Sequence, residues 1–95
     1  MTKKLSKNQL PKNKNATSDN GFLSTYDLGV SASLITAGFE LFSLDRTNPR
    51  KIKFSFYLGA GIEKVVNDYW ANKLEIKARA FFDNIKMLKN RIYSN

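Results

Sequence analysis

The sequence contains no cysteine and no histidine, and only 8 of its 95 residues are acidic. The missing cysteines rule out a disulfide framework, so nothing in the chain points to an oxidising compartment. Without either residue there is no zinc finger, no haem ligand, no thiol nucleophile and no imidazole base. Hard oxygen ligands would be the only route to a metal. Asp27, Glu40, Asp45, Glu63, Asp68, Glu75 and Asp83 are scattered singly along the chain, with no calcium-loop pattern. The expectation is therefore no metal and no cofactor. The chain also lacks a long apolar run. Leu28 to Leu44 is the most apolar stretch, and Gly29, Ser31, Ser33, Thr36, Gly38, Glu40 and Ser43 interrupt it. It falls short of the roughly 20 apolar residues of a spanning helix. The first residues resemble the charged front of a secretory signal, but no apolar core follows. The chain is expected to be cytoplasmic, with no membrane partner.

Positive charge is what the sequence has in excess. Sixteen Lys and Arg give a net charge of +8. The distribution divides the chain near residue 20. Residues 1–20 hold five lysines, four asparagines and one acid, and all 12 aromatic residues come later. So polar a segment buries too little apolar surface to offset its ordering entropy. The expected organisation is a disordered basic arm over 1–20 and one small domain over 21–95.

Within 21–95 the patterning predicts an α+β domain. The order is helix, antiparallel hairpin, helix, short strand, helix, with the helices on one face of a small sheet. Ser24 or Thr25 is placed to cap the first helix, with Asp27 in its first turn. Gly38 sits where that helix would end. Phe22 and Leu23 suit a short edge strand or a staple onto the helix. FELFSLD then alternates with period two, and RTNP supplies turn chemistry. In RKIKFSFYL, Ile52, Phe54, Phe56 and Leu58 share one face, and Lys51, Lys53, Ser55 and Tyr57 share the other. A helix over about 60–71 follows, with Val65, Val66, Tyr69 and Trp70 at helical spacing, and Trp70 is expected in the core or at a partner interface, ahead of a stacking platform with Tyr69. KLEIK (73–77) reads as a short third strand. Ala78, Phe81, Phe82, Ile85, Leu88 and Ile92 form the apolar stripe of a last helix. The expected core joins Ile52, Phe54, Phe56, Val66, Phe82 and Ile85.

The run FLSTYDLGVSASLITAGFELFSLDRTNPRKIKFSFY, then YW, then ARAFFDNIKMLKNRIY, resembles a family of short bacterial and mobile-element domains whose function is uncharacterised. Family members look like F-x-T-x-D-L, matched here by Phe22, Thr25, Asp27 and Leu28 with one extra residue before the threonine; a small-residue helix ending in glycine, a basic residue before F-x-F, an aromatic pair and a phenylalanine- and lysine-rich last helix are shared. The resemblance covers Phe22 to Tyr93. It brings no activity with it; an accessory protein of a mobile element or bacterium is the expectation.

No catalytic constellation stands out. Ser24, Thr25 and Asp27 cluster, but a helix cap accounts for them. Gly59-Ala60-Gly61 precedes a helix without the Lys-Ser or Lys-Thr of a phosphate loop, and reads as a turn. A small enzyme is the last-ranked reading, and the site prediction is non-catalytic. Arg46, Arg50, Lys51, Lys53, Tyr57, Lys86 and Lys89 are the candidate nucleic-acid contacts, expected to form one positive surface from the outer strand face and the last helix. Against this stands the excess of 12 Lys over 4 Arg beside 10 Asn, which biased coding composition also produces. The first reading is a non-enzymatic domain that contacts nucleic acid electrostatically. The second is a protein-interaction module, either a homodimer or an inhibitor that binds an acidic partner.

Overall fold

The computed structural model describes residues 16–19 and 21–94, with the side chains described from residue 21 onward. The elements are β1 (Ala16–Asp19), β2 (Phe22–Thr25), α1 (Leu28–Thr36), β3 (Leu41–Asp45), β4 (Lys53–Tyr57), α2 (Ile62–Trp70) and α3 (Ala78–Tyr93). The class is α+β. The four strands form one antiparallel sheet in the order β1-β2-β4-β3. The predicted hairpin, β3 with β4, is present, but β4 also pairs on its other side with β2. Phe22 and Leu23 thus lie in an interior strand, not at an edge. The arm boundary at residue 20 also changes, because Ala16–Asp19 pair with β2 as a strand. The remainder of the expected arm, residues 1–15 and 20, lies outside the described residues.

Helix α1 begins two or three residues later than the expected caps Thr25 and Ser24 suggest. Ser24 and Thr25 are committed to the β2 ladder, so Asp27 becomes the N-cap and its Oδ1 accepts from the Val30 N–H at 2.9 Å. Thr25 supports the turn, its Oγ1 accepting from the Asp27 N–H at 3.1 Å. At the other end Gly38 takes φ +104°, a conformation costly for any residue with a Cβ. The Gly38 N–H donates to Ile35 C=O at 3.0 Å and the Phe39 N–H to Leu34 C=O at 2.9 Å, closing the helix with paired reversed bonds. Asn72 ends α2 in the same way at φ +60°. That motif takes the Lys73 amide and Lys77 is the N-cap of α3, so only 74–76 lie between the two helix ends, and the expected strand does not form there.

The core joins the inner side of the sheet to all three helices. Leu23, Phe54 and Phe56 from the strands meet Val30, Ala32 and Leu34 of α1, Ile62 and Val66 of α2, and Leu88 of α3. Five consecutive α1 residues, Val30 to Leu34, are buried. A helix buried over five successive positions is covered on every side, so α1 is enclosed by sheet, α2 and α3 instead of showing one apolar stripe. Its small side chains permit that. A Cβ on Gly29 would collide with the Tyr69 Oη and lie 2.8 Å from the Tyr69 Cζ. Burial and the nearby Asp27 carboxylate raise the Tyr69 pKa, so the phenol stays neutral there. On the α3 side, the Asn84 amide donates to Thr36 Oγ1 at 2.9 Å, and that hydroxyl donates to Ala32 C=O at 2.7 Å.

Two aromatic assignments are corrected. Phe82 is 58% exposed. The inward face of α3 centres on Leu88 and takes in Phe81, Asn84, Ile85 and Ile92, which leaves Phe82 on the outer side. Trp70 is also exposed, because Tyr69 takes the inward position beside Gly29. Ile52 and Ile85 are partly buried against the core; Phe54, Phe56 and Val66 are fully within it.

Gly29→Ala should lower stability by about 1–2 kcal/mol, since overpacking outweighs the gain in helix propensity. Adding Tyr69→Phe should recover part of that loss by removing the colliding oxygen. Denaturant midpoints of both single variants and the double variant check this. A Gly29→Ala protein as stable as wild type would show that α2 does not press on α1 there.

Candidate nucleic-acid interface

The strand register sorts the open side of the sheet into three ranks. In β4, Phe54 and Phe56 point into the core, so Lys53, Ser55 and Tyr57 point away from it. Tyr57 pairs with Phe22, and Ser55 with both Ser24 and Ser43. Lys53 pairs with Asp45 and stands next to Tyr26, which follows β2. The first rank is completed by a register irregularity. Leu41 pairs with Phe56 and Ser43 with Ser55, so Phe42 is an extra residue in β3. The bulge turns Leu41 towards the core and leaves Phe42 on the open side.

The first rank is therefore aromatic. The Phe22 and Phe42 rings stack at 4.5 Å between centroids, inclined by 23°. Tyr57 meets Phe42 nearly edge-on at 5.1 Å and lies 5.7 Å from Phe22. Phe42 is 50% and Tyr57 44% exposed. The second rank carries hydroxyls, with Ser24 Oγ and Ser55 Oγ 3.0 Å apart. The third carries charge, about 14 Å from the rings at ~3.4 Å per residue. There the Lys51 ammonium lies 4.6 Å from the centre of the exposed Tyr26 ring. Lys53 faces Asp45, whose pKa is lowered mainly by hydrogen bonds from Thr47, including its N–H at 2.8 Å, with a further contribution from Lys53.

The seven residues expected to bind do not form a single surface. Lys51, Lys53 and Tyr57 come together on the open sheet face, with Arg50 in the adjoining β3–β4 loop. Arg46 is engaged elsewhere. Its Nη1 donates to the carbonyls of Arg91 at 3.1 Å, Ile92 at 3.2 Å and Ser94, so a cation closes the C-terminal end of α3. Lys86 and Lys89 are exposed on the outer side of α3, and the core separates them from the sheet's open face. Sequence reasoning missed Phe22, Phe42 and Tyr26. Phe22 and Tyr26 share the i, i+2 parity of Ser24, but that parity becomes readable only once 22–25 is known to be a strand.

The arrangement is that of a small α+β domain whose helices cover one side of its sheet and whose other side carries rings, hydroxyls and cations. The chain belongs to the family described as a domain of unknown function (DUF5659), whose model matches residues 21–94. That agrees with the resemblance to an uncharacterised family over Phe22–Tyr93. No curated protein matches the chain, and no solved structure does. Among the described residues no acidic cluster is suited to a metal, and no helix is long and apolar enough to cross a membrane.

The Asp45 carboxyl provides a check on the third rank. Its folded pKa lies below the unfolded value. Its stabilising contribution is thus present above the unfolded pKa and is lost as pH falls through the folded one. Thr47→Ala should move the Asp45 pKa back up in an NMR titration. An unchanged value would show that the loop geometry around Asp45 is misassigned.

Proposed function

We propose that this chain binds single-stranded nucleic acid on the open face of its sheet, as a non-enzymatic accessory domain. The observation that carries the reading is the aromatic rank Phe22–Phe42–Tyr57 on the same uncovered face as Lys51 and Lys53. Unpaired bases offer flat faces that stack on exposed rings whatever their sequence, and a duplex withholds those faces. The lysines, with Arg50 in the loop beside them, supply the backbone attraction. Hydroxyls between rings and cations fit sugar and phosphate oxygens.

Fluorescence anisotropy with labelled single- and double-stranded oligonucleotides tests this reading. Wild type should prefer the single strand. Phe42→Ala and Tyr57→Ala should each weaken single-strand binding by about 1–3 kcal/mol, with little effect on duplex. Replacing Lys51 and Lys53 together by Gln should flatten the salt slope by about one to one and a half units. Absence of binding at low salt would end the reading and leave the face to a protein partner, either a second copy or an acidic surface. Equal affinity for duplex and single strand would remove the stacking rank from the account.

A further inference from the structure

The outward face of α3 repeats, in one dimension, the chemistry of the open sheet face. Phe82, Lys86, Lys89 and Tyr93 are spaced i, i+4, i+7, i+11, which places all four along one line of the helix. The line spans about 16 Å. All four are exposed, Tyr93 by 79%. The Lys86 ammonium lies 5.2 Å from the centre of the Phe82 ring. The lone acid of the helix, Asp83, lies 3.9 Å from the Arg79 Nε, so Arg79, Lys86 and Lys89 together still leave the exposed side of α3 positive. None of the four residues is required by the core, which α3 joins through Leu88 and its inward neighbours. The opposed sides of the molecule thus both display aromatic rings and exposed cations.

Charge decides what such a line takes. A second copy docked along it would place lysines against lysines, which costs energy where solvent is excluded. A polyanion with exposed flat groups complements both the cations and the rings. We infer that α3 is a second nucleic-acid contact, so that one molecule holds two strand segments at once, one on the sheet and one on α3. This rests on the sheet-face reading above and deepens it from binding to bridging. Two sites on opposite sides of a rigid core cannot follow one short strand, so they join separate segments.

The test uses the full chain and two non-complementary single strands, one labelled with a donor fluorophore and the other with an acceptor. Energy transfer should rise as protein is added, then fall at large protein excess when each strand holds its own molecules, as a two-site bridge requires. Replacing Lys86 and Lys89 together by Glu should reduce the maximal transfer about tenfold or more. Anisotropy with one short strand should fall less than about threefold, because the sheet face is intact. The milder Lys86→Gln, Lys89→Gln pair should give a smaller loss in the same direction, and Phe82→Ala should weaken bridging without unfolding, since that ring is largely in solvent. Strand binding without energy transfer would overturn the bridge and leave the sheet reading standing. Energy transfer unchanged by the lysine variants would also overturn it. So would α3-dependent binding to anionic lipid vesicles with strand bridging unaffected. Failure of wild type to bind any strand would instead remove the sheet reading on which the bridge rests.

Discussion

The enclosure of α1 is the constraint from which the rest of the structure follows. Nine residues with five consecutive buried positions must be covered on every side, and in a domain this small that takes the inner side of the sheet together with both other helices. Gly29 against Tyr69, and Thr36 against Asn84, are where α2 and α3 close on it. Once the helices are used in this way, none remains among the described residues to cover the other side of the sheet. That side is left open, and its large side chains must shelter one another. The stacking of Phe22, Phe42 and Tyr57 is the outcome.

This economy explains why stability and the candidate function sit on different residues. The inward set of Leu23, Phe54, Phe56 and Leu88 holds the fold. The outward set is half-exposed and can change with little effect on the core. The two meet at the β3–β4 loop. Arg46 ties that loop to the last carbonyls of α3, so the segment that carries Arg50 and Lys51 is joined to the helix layer as well as to the sheet. Arg46, expected to touch a phosphate, holds in place the loop that carries two cations.

Legibility in the sequence followed the strength of periodicity. The alternation in β4 and the apolar stripe of α3 each repeat over several residues, and both elements lie where the pattern put them. Gly38 was legible because few other residues suit its φ. The bulge at Phe42 was not, because one inserted residue breaks a period-two pattern without leaving a compositional mark. The cap at Asp27 depended on knowing that Ser24 and Thr25 were already in a ladder, which is a tertiary fact. Phe82 misled because adjacent phenylalanines both fit an apolar stripe, and only the position of Leu88 decides between them. Strand β1 has a polar sequence and is held by pairing with β2, so hydrophobic patterning could not reveal it. The single positive surface failed for a related reason: the sequence gives the charge on each element but not the side of the core from which it points.

The claim that the open sheet face is a binding surface is tested most directly by mapping backbone amide shifts of the full chain as an unlabelled single-stranded oligonucleotide is added. The account predicts that the larger changes include Phe22, Ser24, Phe42, Lys53, Ser55 and Tyr57, while the buried α1 residues Val30 to Leu34 stay nearly still. Changes confined to residues 1–15, with the strands silent, would contradict it.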